Sequence, residues 1–217
     1  MIIKILLAAT ALALVPTPAS AVELIVNGGF ENPTVSNPCC TTVPPAPLPG
    51  WTVSPNVNVV NGTFSSTAGN LAEEGAQYLD LVGEGGSGAI SQTFATVAGQ
   101  VYTLSFIFSH NLFSGTPSAS ASFSVDGLVG SVFHNSGSTS DLDWLIFSGN
   151  FLADNSSATL NFTNLTGGIN EGVLLDAISV QAAVPEPATW AMMLLGFGAI
   201  GGAMRASRRK QRGVAFA

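Results

Sequence analysis

The sequence predicts an all-β chain: an antiparallel β-sandwich over residues 22–183, flanked by an N-terminal signal helix and a C-terminal hydrophobic helix. Three observations carry this. Short stretches alternate apolar and polar side chains with a period of two, as strands buried on one face do. Gly, Asn, Asp and Pro punctuate most gaps, and 24 Gly with 12 Pro in 217 residues suit many turns. Long charged side chains are scarce: all 6 Lys and Arg lie before residue 22 or after residue 184, while every acid except Glu186 lies between. A helical bundle or coiled coil would need Glu, Lys, Arg and Leu at helical spacing, so both are excluded.

In chain order, Met1 to Ala21 reads as a secretory signal peptide. Lys4 is the basic n-region, Ile5 to Val15 the apolar h-region, and Ala19, Ser20 and Ala21 fit a small-residue cleavage site. Pro16 and Pro18 would break a buried helix there. Glu23–Asn27 is the first strand candidate. Asn32 to Pro49 holds six prolines and predicts an extended loop. Adjacent Cys39 and Cys40 lie in it; they bond to each other, bridge to another chain or stay free, and an exported protein favours oxidation. Strands follow at Val57–Asn61, Gln77–Val82 and Ile90–Thr96. In Tyr102–Phe106 the Tyr, Leu and Phe share one face, and in Ser120–Val125 Ala121, Phe123 and Val125 point inward while three serines point out. Leu128–His134, Trp144–Ala153, Ala158–Phe162 and Val173–Gln181 complete roughly eight to ten strands. No fixed-period repeat is present, which disfavours a solenoid.

The C-terminus reads Val184-Pro185-Glu186-Pro187-Ala188-Thr189-Trp190-Ala191, then Met192 to Met204, then Arg205, Arg208, Arg209, Lys210 and Arg212. Residues 188–204 carry no charge and, as a helix, reach roughly 25 Å, short of a hydrocarbon core of about 30 Å. Four glycines weaken that helix. The basic cluster stays cytoplasmic by the positive-inside rule, leaving the middle of the chain on the far side.

With Pro185, Glu186, Pro187, Trp190 and Ala191 in place before a short apolar helix and a basic stop, residues 184–217 resemble the PEP-CTERM sorting signal in its PEPxxWA form. The resemblance implies export in a Gram-negative bacterium, with signal peptidase and then an exosortase as processing partners. It implies a membrane-held intermediate through the C-terminal helix, and a destination at the cell surface or in the extracellular matrix, among biofilm polysaccharide.

A second resemblance spans residues 22–183. Val26-Asn27-Gly28-Gly29-Phe30-Glu31, then Leu48-Pro49-Gly50-Trp51, Ser91-Gln92-Thr93-Phe94, Ala98 to Leu104, and a closing Leu174-Leu175-Asp176-Ala177-Ile178 are similar to the galactose-binding-like jelly roll of many carbohydrate-binding modules. In such folds the first glutamate and the closing aspartate often meet at a structural calcium, here Glu31 and Asp176. The closing motif has one acid where many relatives have two. Physical chemistry points the same way: without Lys or Arg, a buried carboxylate is neutralised by a metal, by backbone N–H groups or by a proton. Hard oxygen ligands suit calcium.

The composition also excludes functions. Without cations the domain offers nothing to phosphates, so nucleic acid is not a partner, and no Walker motif occurs. No GxSxG nucleophile elbow accompanies His110 and His134, which read as surface histidines. The acid pairs Asp141/Asp143 and Glu73/Glu74 read as solvated carboxylates, and Trp51, Tyr78, Tyr102 and Trp144 as core aromatics. The expected protein is a non-catalytic structural or glycan-interacting module of the extracellular matrix. Its rival is a secreted polysaccharide hydrolase, which needs two carboxylates across a cleft. A regular flat threonine array, as an ice- or surface-adhesive face wants, is not visible in the sequence.

Overall fold

The computed structural model describes residues 21–36, 39–64, 68–113, 115–183 and 187–213. Ala19, Pro185 and Glu186 lie outside the described residues. Ala21–Ala183 is a compact unit of its own, and both hydrophobic clusters fall inside it.

Thirteen strands form this unit: β1 Cys40–Val43, β2 Thr52–Ser54, β3 Val57–Asn61, β4 Gln77–Asp80, β5 Val82–Gly83, β6 Gly86–Ser87, β7 Ala89–Ala95, β8 Val101–His110, β9 Ala119–Val125, β10 Leu128–His134, β11 Leu145–Leu152, β12 Ser157–Thr166 and β13 Val173–Ala182. A six-stranded sheet runs β1-β3-β4-β13-β8-β11 and a five-stranded sheet β10-β9-β12-β7-β2, with β5 and β6 a small hairpin apart. Every pairing is antiparallel. This is the sandwich the alternation predicts. The clearest case is β9, where buried Ala119, Ala121, Phe123 and Val125 alternate with half-buried serines.

The main core lies between the sheets. Phe106 sits at its centre, 4.9 Å from both Phe147 and Phe162 and 5.3 Å from Phe123, ring to ring. At about 1.5–3 kcal/mol for each fully buried side chain of this size, such rings dominate the apolar stabilisation. The Asp126-Gly127 turn has φ of 34° and 77°, the doubly positive geometry that matches strand twist, and joins β9 to β10 in a two-residue hairpin.

Three expectations change. Glu23–Asn27 is not a strand but a single bridge, Glu23 to Gln181. The Glu23 carboxylate accepts from the N–H of Ile25 and of Val180, and Asn27 turns to φ 57°, so the ladder stops. The Pro-rich stretch is not all loop: between its prolines the β-branched run Thr41-Thr42-Val43 pairs with Val57–Val59 as part of β1. Three short strands, β2 and the β5–β6 pair, lie in Pro- and Gly-flanked sequence too brief to show alternation.

Strands β3 and β4 are buried on both faces. Their outer face is covered by loops carrying a second small core, Val60, Tyr78, Leu142 and Leu174 with Phe64, Leu112 and Trp144 against it. At the C-terminus α1 spans Pro187–Gly213 and runs on through the basic residues rather than stopping at 204. No helix among the described residues is long and apolar enough to cross a membrane.

Candidate functional site

Where the loops leave the outer face of the six-stranded sheet open, a cleft of 390 Å³ remains. Its floor is one cross-strand row. Thr42 on β1 pairs with Asn58 on β3, and Asn58 with Asp80 on β4; Thr42 Oγ1 donates to Asn58 Oδ1 at 2.9 Å. The rim carries Phe64 and Phe113, half-buried and tilted 57° at 5.5 Å, with Asn111, Asn170 and Glu84 beside them. The Cys39–Cys40 disulfide lines the cleft as well, and no free cysteine remains.

Asp80 organises this cleft although only 1% of it is exposed. Its Oδ1 accepts from the N–H of Val82 (2.9 Å) and of Gly172 (3.0 Å), and Oδ2 accepts from Asn111 Nδ2 at 2.7 Å. Burial raises its pKa from 3.8 to about 7 and Glu171 adds to the rise, outweighing the three hydrogen bonds that oppose it. Gly172 must be glycine-sized: a Cβ there would stand 2.5 Å from Val82 Cγ2 and 3.0 Å from Asp80 Oδ1. Sequence reasoning placed Asp80 within a strand but not in a site. The signal was present, an acid between Leu79 and Leu81 in a run with no cation to serve it.

Glu31, which is exposed, and Asp176, which is buried, both grip one turn. Glu31 Oε1 accepts from the N–H of Ala76 (2.8 Å) and Gln77 (2.9 Å). Asp176 Oδ2 accepts from Glu73 and Glu74 N–H at 3.0 and 2.9 Å, and Oδ1 from Ala177 N–H at 2.8 Å. A bulge at Ala177, φ 48°, interrupts the β13–β8 ladder just after Asp176. Burial, the largest cause, pushes Asp176 up to about 7 against those three amides. Among the described residues no three His, Cys, Asp or Glu side chains cluster as a metal site would need.

The remaining candidates sort by burial. Trp51 is a plug beneath a loop, its Nε1–H donating to Asn27 O at 3.1 Å and its ring 5.7 Å from Phe30. Tyr102 and Tyr78 are core residues, and Trp144 packs edge-on against Tyr78. Asp141 is exposed and caps its own turn through Asp143 N–H at 3.0 Å. Glu73 and Glu74 serve through their backbone N–H groups. The surface reading of the histidines is wrong: His110 and His134 are fully buried against each other. Trp190, Ala191 and Arg205 belong to α1, as do the basic residues from Arg208 to Arg212.

Residues 23–181 match the family model described as protein of unknown function (DUF642), and residues 183–210 match the PEP-CTERM protein-sorting motif, which implies export through a sorting system to the cell envelope. No curated protein matches the chain. Among solved structures it is similar to the Stig cyclase Fisc from Fischerella sp. TAU, at 22% identity and a TM-score of 0.52, covering 77% of this chain and 100% of that one. It is also similar to TmCBM61, solved with beta-1,4-galactotriose, at 18% identity and a TM-score of 0.52, covering 75% and 99%. Identities this low establish a shared fold.

Proposed function

The chain belongs to the DUF642 family, and from that premise we propose that residues 22–183 are a non-catalytic glycan-binding module, delivered by the sorting motif to the extracellular matrix of a Gram-negative bacterium. The cleft on the six-stranded sheet carries the reading. A floor of hydroxyl, amide and carboxyl groups beneath two rim aromatics is what sugar recognition asks for: amides and acids for hydroxyl groups, ring faces for the apolar side of the sugar. That one structural neighbour is a carbohydrate-binding module solved with a galactotriose supports the same reading.

Electrostatics narrows the ligand class. The cleft holds Asp80 and Glu84 and the domain has no Lys or Arg, so an uncharged polysaccharide is accepted and an acidic one repelled. Titration of neutral oligosaccharides tests this. Asn111→Ala and Phe113→Ala should each weaken binding about tenfold, the equivalent of about 1.4 kcal/mol per lost hydrogen bond or ring contact, with the fold intact. Unchanged affinity in both variants would remove the cleft from consideration.

A hydrolase remains the second reading because Asp80, with its pKa near 7, shares the cleft with Glu84, as an acid and base pair would. New reducing ends from the same polysaccharide, lost in Asp80→Asn, would establish it. Asp80 is buried with both oxygens engaged by N–H donors, which favours a positioning role.

Calcium at Glu31 and Asp176 belongs to the proposal as a stabilising ion. The donors fit in kind, being hard oxygens, and a pKa near 7 for Asp176 is that of a buried carboxylate short of a cation. Five amide N–H bonds already bind the pair, so the ion would supplement them, with backbone carbonyls and water completing its shell.

A further inference from the structure

His110 closes β8 in the six-stranded sheet and His134 closes β10 in the five-stranded one. At 0% and 1% exposure they meet between the sheets, with their Nδ1 atoms 2.7 Å apart. The outer nitrogens face backbone carbonyls: His110 Nε2 lies 3.1 Å from Thr116 O, and His134 Nε2 lies 2.8 Å from Asp143 O. A carbonyl oxygen only accepts, so each Nε2 carries a hydrogen, and the contact between the two Nδ1 atoms needs one more. Three hydrogen bonds need three ring protons. Two neutral imidazoles hold two.

We propose that His110 and His134 form a binding site for a single shared proton, an imidazole–imidazolium pair that serves as the internal cation of a domain without Lys or Arg and latches its two sheets together. A metal does not fit the same place. Two nitrogens on a tetrahedral zinc, at about 2.0–2.1 Å each, stand about 3.3 Å apart.

The surroundings suit one positive charge. Glu171, 4% exposed, is the carboxylate acting on His110, and it accepts a hydrogen bond from Thr116 Oγ1 in the loop whose carbonyl takes the His110 proton. Around His134 stand the Phe108 ring, edge-on at 6.2 Å, and Ser136 Oγ at 3.5 Å; the acids on that loop, Asp141 and Asp143, are exposed. Burial, the largest cause, and then the neighbouring His134 press His110 below the ordinary imidazole range, while its bond to Thr116 O and the Glu171 carboxylate act the other way; the bond between the two rings has to outweigh that burial. The site stands independently of the glycan reading, although Asn111 and Asn170 at the cleft rim adjoin His110 and Glu171 in sequence.

The test is made on the full-length protein with 15N-labelled histidine. At neutral pH the shared-proton pair shows three ring N–H protons, one of them correlated with Nδ1 of both rings; two N–H protons would overturn the proposal. Denaturant unfolding against pH gives a second readout through His134→Asn, which presents a neutral amide donor to His110. Unfolded imidazoles titrate near 6.5. Because the folded pair binds its proton more tightly, the wild type's advantage over the variant is constant below about pH 6.5. It then falls up to tenfold in the folding constant per pH unit above, until the pair releases its proton. A neutral pair gives the opposite sign, an advantage that grows up to about pH 6.5 and is flat beyond it. Should the variant not fold, the proton count in the wild type still decides.

Discussion

Replacing Asp80 by Asn tests whether burial without a cation governs this domain. Folding lifts the Asp80 pKa from 3.8 to about 7, so between those values the folded state keeps a proton that the unfolded chain has lost. The folded state then binds more protons, and stability falls as pH rises, by about 1.4 kcal/mol per pH unit and about 4 kcal/mol across the interval. Asn at position 80 cannot ionise. Its oxygen still accepts from Val82 and Gly172, but its NH2 group meets Asn111 Nδ2, donor against donor, where Asp80 Oδ2, protonated or not, accepts at 2.7 Å. That mismatch costs about 1–3 kcal/mol at any pH. Near pH 4 the wild type is therefore the more stable protein; near pH 7 the variant is, by a similar margin, and the two curves cross between. Urea unfolding at half-unit steps from pH 4 to 8 measures both. Parallel curves would show that Asp80 is ionised in the fold at every pH tested, and would refute the view that desolvation outweighs its three hydrogen bonds.

Two further outcomes are expected. Phe106→Ala empties the centre of the aromatic cluster, where three rings lie within 5.3 Å, and should lower stability by about 3–5 kcal/mol, read as a shifted urea midpoint with an unchanged slope. Calcium at 100 times its dissociation constant should stabilise the wild type by about 2.7 kcal/mol and leave Asp176→Asn unmoved; an equal response in both by scanning calorimetry would take the ion away from Glu31 and Asp176.

Strands with one face in the core were legible because their chemistry repeats every second residue: β9, β12 and most of β8 show it. Strand β4, buried on both faces, was legible within the candidate Gln77–Val82, but alternation cannot show burial of both faces, and so the role of Asp80 stayed hidden. Glu23–Asn27 misled because alternation records which side chains are apolar and cannot record a carboxylate that caps its own strand. Two hydroxyl pairs join different strands and so leave no local signal: Thr93 Oγ1 meets Thr159 Oγ1 at 2.8 Å, and Ser120 Oγ meets Thr166 Oγ1 at 2.7 Å, across the outer face of the five-stranded sheet.

By itself the sequence determined the address and the class of fold. Sorting signals are read as linear strings, and a half-buried strand must write its burial into its own composition. It also set the electrostatic problem, a domain of acids with its cations confined to the two ends. How that problem is solved was decided by tertiary structure alone. The register that sets Thr42, Asn58 and Asp80 in one row joins residues up to 38 positions apart, and the turn gripped by Glu31 and Asp176 draws on both ends of the domain. The pairing of His110 with His134 likewise needs two sheets to close on each other. Such contacts arise because a buried polar group must find its partner wherever the packed chain brings one, and sequence distance places no limit on that search.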